Sequence, residues 1–216
     1  MSHTRDQETK TFTDFLRRIL KGVFDTIGAF LNRIGIRPNM VTTAGLLGNI
    51  AAGVLIATGQ LLWGGIVALI TAPLDALDGT MARLRNEPSR YGSFVDSVSD
   101  RYSEFALYAG LLVYFSDTGT WRDALLVFFA AMGSILVSYV RAKAEALNYS
   151  AKVGLFTRVE RYFVLIPGII LGYPHISLWI LAILTNFTAL QRFWHVRKQA
   201  KEDGEIKPIR EEVKNG

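Results

Sequence analysis

Residues Asp75–Asp100 read D-A-L-D-G-T-M-A-R-L-R-N-E-P-S-R-Y-G-S-F-V-D-S-V-S-D. Four carboxylates, Asp75, Asp78, Asp96 and Asp100, fall into two pairs, the first spaced i,i+3 and the second i,i+4. On helices both spacings put two side chains on one face. Apolar sequence borders each pair: G-G-I-V-A-L-I-T-A-P-L before the first and F-A-L-Y-A-G-L-L-V-Y-F after the second. Carboxylates at the edge of membrane-length apolar segments are expensive and usually functional. Facing one another they repel unless a cation lies between them, and hard divalent ions such as Mg²⁺ or Mn²⁺ take oxygen ligands of this kind. Ordinary helix-end charges partnered by Arg83, Arg85, Arg90 and Arg101 would account for one pair. They do not account for two same-face pairs joined by a loop containing Gly, Pro and Ser.

Outward from this stretch the chain is dominated by long apolar runs. Half of its 216 residues are hydrophobic, and it contains no Cys. Disulfides and thiolate metal sites are therefore excluded, and any metal must be held by oxygen or nitrogen. A bilayer-spanning helix needs about 20 apolar residues, and on that criterion six spans are expected. They run over about 41–57, 61–80, 93–116, 121–145, 159–173 and 176–196. Asp75 and Asp78 lie toward the end of the second span, Asp96 and Asp100 at the start of the third. The fold class expected is an all-α integral membrane protein.

The first ten residues are polar, and no short apolar segment with a cleavage site follows, so no signal peptide is read here. Residues 1–11 are expected to be disordered. In residues 12–35, Phe12, Phe15, Leu16, Ile19, Leu20, Val23, Phe24, Ile27, Phe30, Leu31 and Ile34 follow the helical period, with Arg17, Arg18, Lys21, Asp25 and Arg33 opposite. A basic, strongly sided helix suits the membrane surface, so 12–37 is expected to be an interfacial segment, ended by Arg37-Pro38-Asn39. Residues 38–196 form the membrane domain, and 197–216 a charged tail.

Lys and Arg distribute unequally between the two ends of the spans. The turns at 58–60 and 173–175 carry none, and the turn at 116–122 carries only Arg122. The opposite side carries Arg83, Arg85, Arg90, Arg101, Arg141, Lys143, Lys152, Arg158, Arg161, Arg192, Arg197 and Lys198, besides the N-terminal helix. By the positive-inside rule both termini and the acidic cluster face the cytoplasm of a multi-pass cell-membrane protein. The net charge of +5 points to anionic partners at that face, lipid headgroups, phosphates or nucleotides; no nucleic-acid partner is expected.

The acidic stretch resembles the signature of the CDP-alcohol phosphatidyltransferases, D-x2-D-G-x2-A-R-x8-G-x3-D-x3-D. It matches at every fixed position: Asp75, Asp78, Gly79, Ala82, Arg83, Gly92, Asp96 and Asp100. The resemblance implies transfer of a substituted phosphate from a CDP-linked lipid to an acceptor hydroxyl, with release of CMP, by a homodimer holding two Mg²⁺ or Mn²⁺ ions. It implies that Asp75, Asp78, Asp96 and Asp100 are metal ligands and that Asp100 is also the general base. Asn39 and Thr42, in R-P-N-M-V-T, resemble the P-N-x-x-T element that helps hold the CDP group; as plain helix features they would be N-cap residues. Gly79, Ala82, Arg83, Ser89 and Gly92 are the further nucleotide contacts implied. For the small residues among them, close helix packing is an equally good reading.

The acceptor is read from the later arginines. S-Y-V-R-A-K-A-E closes the fourth span, T-R-V-E-R opens the fifth and Gln191-Arg192 closes the sixth. Arginine forks suit a phosphorylated acceptor; singly, each could equally be a positive-inside charge. Together these segments resemble the prokaryotic phosphatidylinositol-phosphate synthases, which implies CDP-diacylglycerol or its archaeal ether analogue as donor and inositol 1-phosphate as acceptor. Ser138, Arg141, Arg158, Arg161 and Arg192 would then bind the acceptor phosphate. Two departures stand: Arg141 replaces a common Lys, and T-R-V-E-R replaces E-R-P-E-R. They leave glycerol 3-phosphate, the acceptor of a phosphatidylglycerol-phosphate synthase, as the alternative. A cation transporter with the aspartates as its ion site is the competing class. It gives no role to the Gly, Ala and Arg of the signature, and it wants the aspartates at midplane.

Overall fold

Prolines and left-handed glycines divide the chain into its helices. A computed structural model describes residues 12–86, 89–154 and 156–205, with side chains from residue 21 onward. The expected disorder of residues 1–11, the end of the charged tail and the side chains at 12–20 lie outside the described residues. Those described form eight α-helices and no strand: α1 (Phe12–Arg33), α2 (Pro38–Ala57), α3 (Leu61–Thr71), α4 (Leu74–Leu84), α5 (Arg90–Thr118), α6 (Trp121–Ala146), α7 (Arg158–Ile170) and α8 (Pro174–Glu202).

Pro38 and Pro174 open α2 and α8 in the first turn, where a missing N–H costs nothing. Pro73 separates α3 from α4, because proline can neither donate to the preceding turn nor avoid its carbonyl. The second apolar run, expected as one span over 61–80, is therefore a helical stretch of Leu61–Leu84 interrupted at 72–73. Gly59 (φ +80°) and Gly172 (φ +75°) make the tight turns from α2 to α3 and from α7 to α8. The first span begins three residues before its expected start. The last helix continues to Glu202, so part of the segment assigned to the tail is helical. Among the described residues, four stretches are long and apolar enough to cross a bilayer: Pro38–Ala57, Leu61–Leu84, Trp121–Ala146 and Pro174–Glu202. α5 is long but carries many charges at its start, and α7 has 13 residues.

The core joins α2, α3, α5, α6, α7 and α8 through Ile56, Ala68, Leu107, Leu111, Ala130, Leu165, Ile169, Leu178 and Leu181, all 1% exposed or less. α2 and α5 pack backbone to backbone: a Cβ on Gly53 would strike the Ala106 carbonyl, and one on Gly110 would strike Gly53 itself. Small residues at such crossings are how helices pack closely where lipid already solvates their apolar side chains. The outward faces carry large apolar side chains as well. Trp63, Leu69, Ile70, Phe128, Trp179 and Ile183 are all more than half exposed, the surface of a protein solvated by hydrocarbon.

α1 is anchored to the site helix. Asn32 Nδ2 donates to the Met81 carbonyl at 3.1 Å, and Arg85 donates to Asn32 Oδ1 at 2.6 Å and to the Ile36 carbonyl at 2.8 Å. Phe24, Leu31 and Ile36 pack around Leu77 and Met81, while Val23, Ile27, Phe30 and Ile34 stay exposed. The apolar face of α1 is thus shared between α4 and the outside.

Candidate metal and substrate site

α4 and α5 supply the acidic cluster. One carboxylate oxygen each from Asp75, Asp96 and Asp100 lies within 4.8 Å of the others. The two helices that carry them are set by the break at Pro73, just before Asp75, and by the Ser89 cap, which starts α5 soon after the loop. Asp78 stands beside the triad, within electrostatic range of Asp75 and Asp96, but its Oδ2 accepts a hydrogen bond from Thr42 Oγ1 on α2. It is 4% exposed. Of the four expected ligands, then, three face one another, and the fourth is held to the neighbouring helix.

Arg158, in the first turn of α7, forms ion pairs with Asp75 and with Asp100, and its guanidinium lies 5.1 Å from the Tyr162 ring centroid. Arg101 approaches Asp100 at 3.3 Å. Asp96 Oδ1 is buried and accepts no hydrogen bond. Asp75 Oδ2 and Asp100 Oδ1, buried as well, meet Arg158 as charge partners without hydrogen-bond geometry. Buried carboxylate oxygens that outnumber the positive charge around them are costly. Three of them, with no thiolate or imidazole among them, fit a hard divalent cation.

Around the cluster lie the residues expected at the nucleotide. Asn39 and Thr42 sit in the first turns of α2, but neither is its N-cap: the helix begins at Pro38 behind Arg37, and Thr42 donates to Asp78. Gly79, Ala82 and Arg83 are on α4, where Arg83 Nη2 donates to Thr80 Oγ1 at 2.8 Å. A Cβ on Gly79 would meet only the tip of Arg83, at 3.7 Å. Helix packing therefore does not require glycine there. Ser89 is the N-cap of α5, accepting from the Gly92 amide at 2.8 Å; this explains Ser89 locally, and its hydroxyl explains why Gly92 has no room for a Cβ.

The residues expected at the acceptor phosphate are spread along α6, α7 and α8. Arg161 is 1% exposed and grips Glu104 through two hydrogen bonds, Nε to Oε1 at 2.7 Å and Nη2 to Oε2 at 2.9 Å. Arg192, 3% exposed, donates to the carbonyls of Val137 at 2.6 Å and Val153 at 2.9 Å, joining α8 to α6 and to the loop before α7. Arg141 is exposed and pairs with Glu145 at 2.9 Å, and Ser138 Oγ donates to the Ser134 carbonyl. Arg192 is within electrostatic range of Arg141 and Arg161, and also of Glu145 and Glu160, so the three arginines share one neighbourhood with carboxylate partners. Arg158 instead faces the aspartates. Sequence reasoning missed Glu104, although its position continues the i,i+4 series of Asp96 and Asp100.

Comparison with known proteins shows the family. The sequence model of CDP-alcohol phosphatidyltransferases matches residues 36–193. A phosphatidylinositol phosphate synthase of Mycobacteroides abscessus is 34% identical over 191 residues, covering 84% of this chain and 86% of the relative. An archaetidylinositol phosphate synthase of Methanothermobacter thermautotrophicus is 31% identical over 196 residues, covering 88% and 94%. Among solved structures, the phosphatidylinositol phosphate synthase of Mycobacterium tuberculosis in complex with manganese and citrate superposes with a TM-score of 0.75 at 28% identity, over 80% of this chain and 88% of that one. The same enzyme with CDP-DAG bound gives 0.73 at 28% identity, over 81% and 93%. The chain belongs to the CDP-alcohol phosphatidyltransferase family. It is a membrane transferase of phospholipid synthesis with an aspartate cluster suited to metal.

Proposed function

We propose that this protein transfers the phosphatidyl group of CDP-diacylglycerol, or of an ether-lipid analogue, to the hydroxyl of inositol 1-phosphate and releases CMP. The observation that carries the reading is the meeting of Asp75, Asp96 and Asp100 from two helices, with groups of α2 and α7 bonded to the aspartates around them. Thr42 of α2 is tied to Asp78 of α4 beside the aspartates, and Arg158 and Arg161 of α7 pair with Asp100 and Glu104 of α5; the reading puts Asn39, Thr42, Gly79, Ala82 and Arg83 on the donor side and Arg141, Arg161 and Arg192 on the acceptor side. A CDP group fits the first and a phosphorylated polyol the second. The names of the relatives, inositol phosphate synthases from bacteria and an archaeon, support that acceptor.

Asp75, Asp96 and Asp100, with Asp78 alongside, would hold Mg²⁺ or Mn²⁺, and two ions are proposed. Bound there, such ions polarise the diphosphate and stabilise charge on the leaving CMP. The protein's own groups orient and move protons. Thr42 fixes Asp78, the open surface over Gly79 lets the nucleotide approach the α4 backbone, and Ser89 and Gly92 lie at its edge. Asp100 accepts the proton of the acceptor hydroxyl as its oxygen forms the new bond to phosphorus and the bond from phosphorus to CMP breaks. Arg161 and Arg192, with Ser138 and Arg141, hold the acceptor phosphate, and Arg158 links that group to the aspartates.

The membrane arrangement proposed has six spans, α5 and α7 joining the four apolar stretches. The α1 segment lies at the interface, and the termini and site face the cytoplasm of the cell membrane. The lysine- and arginine-poor turns at 58–60 and 173–175 support this orientation. Residues 12–37 form the interfacial segment, 38–196 the catalytic membrane domain and 197–216 the cytoplasmic tail, in a homodimer. The test is CMP release by purified protein in detergent with CDP-diacylglycerol and Mg²⁺, offering inositol 1-phosphate, glycerol 3-phosphate, inositol and serine separately. Release with inositol 1-phosphate alone is expected. Release with glycerol 3-phosphate instead would keep the reaction and replace the acceptor.

A further inference from the structure

Glu104 is a buried carboxylate to which the reaction assigns no part. It follows Asp96 and Asp100 at one-turn intervals on α5, so the three share a helix face. The aspartates have unsatisfied oxygens, whereas Glu104 has both of its oxygens bound to Arg161. The pair is 6% and 1% exposed. Ser134 Oγ on α6 lies 2.9 Å from Tyr108 Oη, beside the pair and within electrostatic range of Glu104, so a third helix borders the carboxylate. α5 and α7 consequently meet as two charged rungs one turn apart, Asp100 with Arg158 and Glu104 with Arg161.

The geometry of the second rung is selective. Glu104 takes the Nε–Nη2 edge of the guanidinium, which fixes the plane of the group. Nη1 remains buried and has no hydrogen-bond partner. An unpartnered N–H on a permanent cation is a costly arrangement that an anionic ligand relieves. The same guanidinium is within electrostatic range of Arg192, which is in turn within range of Arg141. A lone Arg161 could rotate toward any carbonyl of the helix ends around it; bound by Glu104 it cannot.

We infer that Glu104 is a positioning residue for the acceptor, holding Arg161 so that Nη1 is presented to the acceptor's phosphate. This rests on the acceptor reading above. A pair that merely joined α5 to α7 would affect both substrates alike, whereas a positioning role singles out the acceptor.

The experiment compares wild type, Glu104→Gln and Glu104→Asp in detergent, measuring KM for CDP-diacylglycerol, KM for the phosphorylated acceptor that the wild type uses, and Tm. Loss of one charge-assisted grip is expected to raise the acceptor KM of Glu104→Gln about ten-fold, with the CDP-lipid KM within about two-fold. Glu104→Asp, which restores the charge at shorter reach and is the variant to rely on if the amide fails to fold, is expected to fall between. Equal changes in both KM values, or an unchanged acceptor KM with a lowered Tm in either variant, would make the pair a structural staple and overturn the inference. Wild-type assays read the acceptor class independently: turnover with unphosphorylated inositol alone would overturn the acceptor reading and this inference with it.

Discussion

Arg158 and Asp100 form an ion pair across the contact between α7 and α5, and the same guanidinium reaches Asp75 on α4. One cation of the protein thus pairs with two of the three carboxylates that face one another and offsets one of their charges. A divalent ion seeking those oxygens meets a competing charge of the chain's own. Removing one unit charge at contact distance from a half-buried site changes the electrostatics by about 1–4 kcal/mol. Arg158→Gln is therefore expected to bind Mn²⁺ more tightly, roughly ten-fold, in calorimetric titration without substrates. Its apparent KM for the acceptor should rise. Metal affinity equal to or weaker than wild type would show that Arg158 does not compete for the site.

Asp100 is expected to serve the acceptor hydroxyl directly, so charge and proton capacity are what it contributes. Asp100→Asn keeps its shape and loses both. Loss of transfer by about two to four orders of magnitude is expected, the usual contribution of a general base. CDP-lipid binding, followed by calorimetry in the presence of Mg²⁺, should persist because Asp75, Asp78 and Asp96 are intact. Near-wild-type turnover in this variant would remove Asp100 from the role of base.

What is legible in the amino-acid sequence depends on the range of each contact. The pairs Asp75–Asp78 and Asp96–Asp100 are legible from their spacing, because each obeys the helical period and borders an apolar run; that Asp75 joins the second pair while Asp78 is held by Thr42 is not. Pro73 is equally visible, yet the apolar run around it reads as one span, because periodicity does not reveal where a proline sits relative to the bilayer. The partners of the arginines are not readable. Arg161 with Glu104 and Arg192 with Val137 and Val153 join segments 39 to 57 residues apart, and nothing local in the sequence specifies which carboxylate or carbonyl a guanidinium will choose. Glu104 does carry a signal, the continuation of the Asp96–Asp100 interval, but it stands one turn beyond the signature. Thr42 is legible as a polar residue at the start of α2, whereas its partner, Asp78, belongs to another helix.

Thr42 ties Asp78 to α2, and Asp78 is almost fully buried. Thr42→Val keeps the volume and removes the donor, leaving that carboxylate without its side-chain partner, at a cost of about 1–3 kcal/mol. A lower Tm and a raised KM for CDP-diacylglycerol are expected, with the acceptor KM little changed. A shift confined to the acceptor would mean that the Thr42–Asp78 link supports the opposite side of the site.

Gly79 separates packing from function most cleanly. Within a helix glycine is less favourable than alanine by up to about 1 kcal/mol, and here a Cβ would make only an ordinary contact with a flexible arginine tip. Gly79→Ala should therefore leave Tm unchanged or raise it. The same methyl group would stand on the α4 surface that the CDP group is proposed to approach, and a higher KM for CDP-diacylglycerol is expected, severalfold or more for Gly79→Val. Stability and substrate affinity thus move in opposite directions, a combination that a packing glycine cannot produce. If both variants lose stability and retain CDP-lipid affinity, Gly79 is there for the helix after all, and the nucleotide must lie elsewhere along the cluster.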